Sequence, residues 1–168
     1  MSKKPKDILF VLKNIDDLSN ALMQPFARAS VIYPNKDILA EKHRWISSVT
    51  LWNENGEGVR ITPVMNDVAD RLEVGSLSFE SVAKADGQDE FFELSGSYSN
   101  GTLISKIILN ESGKTIEKGI IIKAPNDTEI TIVPNAMPYT LAVKCEEITS
   151  GFFEPEYALE DYVVEGWK

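Results

Sequence analysis

Residues 102–110, TLISKIILN, and residues 115–123, TIEKGIIIK, flank Glu111-Ser112-Gly113, and the reading of these two apolar runs decides the fold. Each is short, rich in β-branched isoleucine and bounded by turn residues, which suits a strand better than a buried helix. Ile107, Ile108 and Leu109, like Ile120, Ile121 and Ile122, are apolar at consecutive positions. Successive strand side chains point to opposite faces, so these are central strands covered on both sides, with an N-terminal helix as the expected cover.

The same pattern continues outward from this pair. Towards the C-terminus lie 129–133 and 139–147, separated from each other and from 115–123 by Pro125-Asn126-Asp127 and by 134–138, which begins and ends in proline. Towards the N-terminus lie 90–98 and 76–84, bounded by Asn100-Gly101 and Asp86-Gly87. Asn100-Gly101 predicts a two-residue type I′ hairpin, because both residues tolerate positive φ. Residues 47–52 and 58–62 flank a polar loop containing Gly56 and read as another hairpin, followed by a brief helical turn over 66–72. Leu77 and Phe79, Phe92 and Leu94, Ile120 and Ile122, Ile130 and Ile132, and Leu141, Val143 and Cys145 each sit two apart and mark inward faces. Glu80, Glu93, Glu129 and Lys144 mark outward ones. The expectation is a mainly β chain, α+β at the margin, with about eight antiparallel strands in a sandwich or barrel.

One or two helices are expected before the strands. Ile8, Val11, Leu12, Ile15, Leu18 and Leu22 follow helical spacing up to a break at Gln24-Pro25. A competing reading makes 8–12 a short buried strand and starts the helix at Asp16. A second short helix is read from Asp37 to His43, with Asp37 in its first turn. The whole is read as one domain, 1–168, with a helical part (1–45), an antiparallel β core (46–150) and an acidic-aromatic C-terminal segment (151–168).

The 168 residues, 43% hydrophobic and 26% charged, suffice for a core that buries roughly two thirds of the unfolded surface. No run approaches the roughly 18 apolar residues of a membrane span, and the apolar stretch 8–12 is too short for a secretory signal. The single cysteine, Cys145, forms no internal disulfide. A cytoplasmic protein without membrane contact is expected. The pattern assigns no oligomeric state.

Charge is unevenly distributed. Residues 1–50 carry net +3 and residues 51–168 net −12, giving the −9 of the chain. Such a field repels phosphate backbones and attracts basic surfaces. Catalytic chemistry finds little support. One histidine, His43, and one cysteine exclude a histidine-pair or cysteine-rich zinc site, and no phosphate-binding loop or nucleophile-elbow motif is present. Cys145 alternates with Leu141 and Val143 and reads as a core residue. Asp16-Asp17, Asp86 with Asp89, and Asn126-Asp127 lack calcium-loop spacing and read as turn polarity. No enzyme, metal or cofactor is expected.

Two constellations remain. In the C-terminal segment, Phe152, Phe153, Tyr157, Tyr162 and Trp167 interleave with Glu154, Glu156, Glu160, Asp161 and Glu165, a pattern suited to docking on a basic groove. The bland alternative is a short helix from Pro155 packing back on the sheet. The second constellation is Trp45, Trp52 and Arg60, a stacking platform if exposed. The favoured function is a non-catalytic protein-binding module of the inhibitor, immunity or phage accessory kind, engaging a basic partner surface. The alternatives are a single-stranded nucleic-acid-binding β-barrel with an acidic tail, less favoured because Lys and Arg are scarce among the strands, and a carbohydrate-binding or structural β-sandwich.

Overall fold

The computed structural model describes residues 9–21, 24–33, 45–69, 72–85, 87–98, 102–111, 113–148 and 153–167. Within them the chain is mainly β and sandwich-like, with two sheets facing each other across one core. The strands are β1 (Leu9–Phe10), β2 (Phe26–Ile32), β3 (Ser48–Asn53), β4 (Gly58–Ala69), β5 (Leu72–Val82), β6 (Glu90–Tyr98), β7 (Leu103–Glu111), β8 (Lys114–Lys123), β9 (Glu129–Pro134), β10 (Leu141–Lys144) and β11 (Val163–Gly166). One sheet has the order β5-β4-β3-β2-β6, and the other β10-β9-β8-β7-β11 with β1 lying parallel to β8. No helix among the described residues is long and apolar enough to cross a membrane.

The period-2 reading fixes the inner faces. Leu77, Phe79, Ile120, Ile122, Ile130, Ile132, Leu141, Val143 and Cys145 all lie in the main core, with Phe92 and Leu94 packed against it. Glu80, Glu93, Glu129 and Lys144 are exposed. The central pair β7 and β8 forms the expected hairpin, and β3 and β4 form another. In the β3–β4 turn Asn53 Oδ1 accepts from the amides of Asn55 (2.9 Å) and Glu57 (3.1 Å), and Gly56 supplies the positive φ of 81°.

Several expectations are corrected. The sandwich is not a succession of hairpins throughout: β5 and β6 lie at opposite edges of one sheet, and β6 and β7 belong to different sheets. Asn100-Gly101 itself lies outside the described residues, but the strands on either side of it, β6 and β7, do not pair with each other. The helical turn over 66–72 is replaced by a long β4–β5 ladder, which pairs Asn66 with Val74 and Asp67 with Glu73 before a bulge. Cross-strand pairing overrides the weak local capping signal.

The N-terminal part is less helical than expected. Among the described residues there, only Asp16–Ala21 is helical (α1), and Leu9–Phe10 is a strand, so the competing reading describes this region. Asn14, at φ 60°, interrupts the helical stripe, while Asp16 and Asp17 suit the positive end of a helix that starts after it. Phe26–Ile32, assigned to the helical part, is instead strand β2 between β3 and β6. Its inward residues Ala29 and Val31 are small and close to Pro25, which hid their alternation. The helix proposed at 37–43 lies outside the described residues. Helix α1 packs near β4 and β5 and does not cover β7 and β8.

Candidate functional site

The outer faces of the two sheets are covered by different means, and each cover contains one of the sequence-derived candidate sites. On the β5–β6 sheet, Ser30, Thr50 and Trp52 point away from the core yet are at most 1% exposed. Trp52 lies over Gly58, whose missing side chain makes room: a Cβ there would stand 2.9 Å from the indole. The indole Nε1 donates to Ser30 Oγ at 2.8 Å, and Ser30 Oγ donates to Asp89 Oδ1 at 2.8 Å. Arg60 donates through Nε to Thr50 Oγ1 (2.9 Å) and through Nη2 to Asp89 Oδ2 (2.7 Å). This network satisfies the polar groups that the sheet face would otherwise bury unpaired.

Trp52 and Arg60 therefore do not form an open platform. The indole is closed over and the guanidinium is ion-paired to a carboxylate of 0% side-chain exposure. Trp45 is half-buried just before β3. The exposed ring of the region is Phe91, 40% exposed, 6.0 Å from Trp52 centroid to centroid and with Arg28 Cζ 4.6 Å above it. Arg28 and Phe91 are not singled out by the sequence, and Asp89 reads there as turn polarity rather than as a member of this network. The signal was present for Phe91, whose outward position follows from the inward Phe92 and Leu94.

On the other sheet the cover is residues 153–167, a strap. Ile107, Val133 and Ala142 form an outer apolar patch against which Phe153 and Tyr162 pack. A neighbouring patch of Val74, Leu109 and Ile116 receives Tyr157 and Tyr162, whose rings meet edge to face at 6.4 Å. The strap enters by pairing beside Asn135: Ala136 N donates to Glu154 O, Glu156 N donates to Pro134 O at 3.0 Å, and Asn135 Oδ1 accepts from Glu154 N at 2.8 Å. It leaves as β11, antiparallel to β7, and Trp167 returns to the main core with its amide on Ile104 O.

Glu156 fixes the strap to both sheets. Its carboxylate accepts from Lys118 Nζ, on β8, and from Gly75 N (3.0 and 3.2 Å), on β5. Lys118 is the extra residue of a β8 bulge, between Glu117 opposite Ile108 and Gly119 opposite Ile107, and it is fully buried beneath the Tyr157 ring. Burial pulls the Lys118 ammonium below the ordinary lysine range, and the charge and hydrogen bond of Glu156 partly restore it.

The strap residues thus divide. Phe153, Tyr157, Tyr162 and Trp167 are half-buried and turned inward, and Glu156 is consumed in an ion pair, so these five do not offer a free docking surface. Phe152 lies outside the described residues. Glu154, Glu160, Asp161 and Glu165 remain exposed, beside exposed Leu159, Val163 and Val164. The bland alternative is met in part: the segment packs back, but as an extended strap with a three-residue 3-10 turn at Leu159–Asp161.

A cleft of about 420 Å³ opens at one end of the sandwich, where Tyr98, Glu129, Cys145 and Glu147 meet. Cys145 Sγ donates to Glu147 Oε2 at 3.1 Å, and burial pushes the thiol up to about 11, so it is protonated at neutral pH and suited to packing rather than attack. His43 lies outside the described residues. No protein-family model, no curated protein and no solved structure matches the chain.

Proposed function

We propose that the chain is a non-catalytic protein-binding module, of the inhibitor, immunity or accessory kind, that meets a basic partner surface with the acids of its strap. The observation that carries this reading is the sorting of strap side chains. The rings turn inward and fix the backbone, and Glu154, Glu160, Asp161 and Glu165 are left exposed on that fixed frame. Held carboxylates favour fast, oriented association with a cationic surface, because little side-chain and chain freedom is lost on binding. Leu159, Val163 and Val164 add apolar area among the acids. The reading puts the module in the cytoplasm, where a lone buried thiol remains reduced.

Deleting residues 151–168 would strip a cover from the sheet as well as a charge cluster, so substitution is the cleaner test. Titration with a blocked lysine- and arginine-rich peptide compares the combined variant Glu154→Gln, Glu160→Gln, Asp161→Asn, Glu165→Gln with the control Glu54→Gln, Glu57→Gln, Glu73→Gln, Glu80→Gln. The strap variant is expected to lose about tenfold in affinity at low salt and the control less than about twofold. Equal losses would reduce the interaction to net charge and defeat the reading.

One observation favours a second reading, binding of single-stranded nucleic acid: the exposed Phe91 ring beneath Arg28 is a stacking surface of the kind bases use. Glu80 and Glu93 on the same face oppose phosphate. Salt-sensitive binding of single-stranded DNA that Phe91→Ala abolishes would reverse the ranking.

A further inference from the structure

The strap ends in an edge strand, and the orientation of its backbone narrows how a partner is met. Trp167 N donates to Ile104 O at 2.9 Å, towards β7. Strand residues alternate in the direction of their N–H and C=O, and the register Val163↔Ile108 to Gly166↔Ser105 is unbroken. Glu165 and Val163 therefore face β7, while Val164 and Gly166 direct both backbone groups outward. Among the described residues no strand lies on that side. All four residues of β11 are exposed, Val163 at 54% and Val164 at 56%. Two other sheet edges are each met by a further segment: β5 by Lys13, bonded to Leu77 O and from Phe79 N, and β10 by Ile46. The fourth edge, β6, carries Glu90 and Glu93 but lacks the exposed apolar pair of β11.

We infer that β11 accepts an extended basic segment of a partner protein as an added strand, a step that deepens the docking reading above and rests on it. Charge selects the occupant. Glu160 and Asp161 stand just before the strand and Glu165 within it, so a lysine- or arginine-bearing strand finds acids at both ends of the apolar pair Val163-Val164. A second copy pairing β11 with β11 would bring the same acids together, which disfavours self-association. Two outward residues supply a ladder of about four hydrogen bonds, enough for a weak, register-specific contact when the flanking charges add to it.

The probe is a blocked seven-residue peptide alternating valine with lysine and arginine, titrated into the full chain while amide exchange is followed by NMR. Binding is expected to slow exchange at Val164 and Gly166 specifically. The same peptide with alternate amides N-methylated keeps every charge and side chain but cannot form the ladder, and is expected to bind about tenfold more weakly. Val164→Pro removes only an outward N–H, as edge strands tolerate, and is expected to weaken the unmodified peptide to the same degree. Equal binding of both peptides, lost only in the acid-neutralised strap variant, would overturn strand addition and leave acidic docking standing. Absence of binding or of protection at Val164 and Gly166 at millimolar peptide would overturn the inference outright. Concentration-dependent dimerisation abolished by Val164→Pro would assign the edge to a second copy and overturn the basic occupant.

Discussion

The two sheets of this sandwich meet the same requirement, an outer face that cannot be left bare, with opposite materials. The β5–β6 sheet covers itself with its own strand residues and the adjoining Asp89, through short contacts among Ser30, Thr50, Trp52, Arg60 and Asp89. The β10–β11 sheet has an apolar outer face at Ile107, Val133 and Ala142 and borrows its cover from residues 153–167. The polar cover is built mostly on strands that already form the sheet. The borrowed cover must be anchored, and the anchor is an ion pair of a fully buried lysine. A cover added from a distant segment is also the one that brings exposed acids and an open edge with it, which is why the functional reading falls there.

The largest effect is expected at that anchor. Glu156→Gln leaves the Lys118 ammonium buried against a neutral group, and removing one partner of a buried pair costs about 3–5 kcal/mol. The lower end is expected here, because the Glu156 side chain is 17% exposed. Urea denaturation measures the loss, and amide exchange in β11 should accelerate with it. The double replacement Lys118→Met with Glu156→Gln should recover much of the loss, since no buried charge then remains. A cost below about 1 kcal/mol for Glu156→Gln would mean that ring packing alone holds the strap, and the contrast between the covers would fail.

A smaller loss, about 2 kcal/mol, is expected for Asp89→Asn on the self-covered face. Arg60 is 17% exposed and can turn towards water, whereas Lys118 has no such route. Thermal unfolding gives the magnitude. Exchange at Val164 should stay at the wild-type rate, which separates the two covers experimentally. A loss at Asp89 exceeding that at Glu156 would invert the comparison.

What could be read from the sequence follows the range of the interaction responsible. Period-2 alternation is local, and it placed Leu77, Phe79, Ile120, Ile122, Ile130 and Ile132 on the core side before any topology was known. Turn chemistry is local too, yet it specifies only that the chain turns. Gly56 closes a hairpin, whereas Asn100-Gly101 stands between strands of different sheets, and nothing within ten residues distinguishes the two cases. The acids of the strap were legible as charge. The inward turn of Phe153, Tyr157, Tyr162 and Trp167 was not, because it depends on apolar patches assembled from distant strands: β7, β9 and β10 for Phe153 and Tyr162, β5, β7 and β8 for Tyr157, and the main core for Trp167. Trp52 stands out in the sequence, but its exposure is left open there, since its cover comes from Ser30 and Asp89, 22 residues before and 37 after it. Lys118 gave no sign at all: a lysine in a strand reads as outward, and only the bulge turns it beneath Tyr157.

The smallest effect concerns alkaline pH and again divides the molecule. Burial pushes Cys145 up from 9.0 to about 11, and burial pushes Tyr162, whose hydroxyl accepts the Tyr157 amide, up from 10.0 to about 12. Both are acids that the folded chain keeps protonated after the unfolded chain has lost its proton. Stability therefore falls as pH rises, from 9 to about 11 for the thiol and from 10 to about 12 for the phenol. Lys118 acts in the opposite sense. Its folded value lies below 10.5, so the unfolded chain holds the extra proton in that window and stability rises until 10.5 is passed. For Cys145 the expected loss is about 1 kcal/mol by pH 10. Unfolding curves collected from pH 8 to about 10.5 should show a shallower decline for Cys145→Ala than for the wild type, whatever the offset caused by its lost volume. Tyr162→Phe should flatten only the upper part of the same range, and its decline should be accompanied in the wild type by faster exchange in β11. A wild-type profile level across this range, or one unchanged by either substitution, would show that the alkaline limit lies in neither the cleft nor the strap.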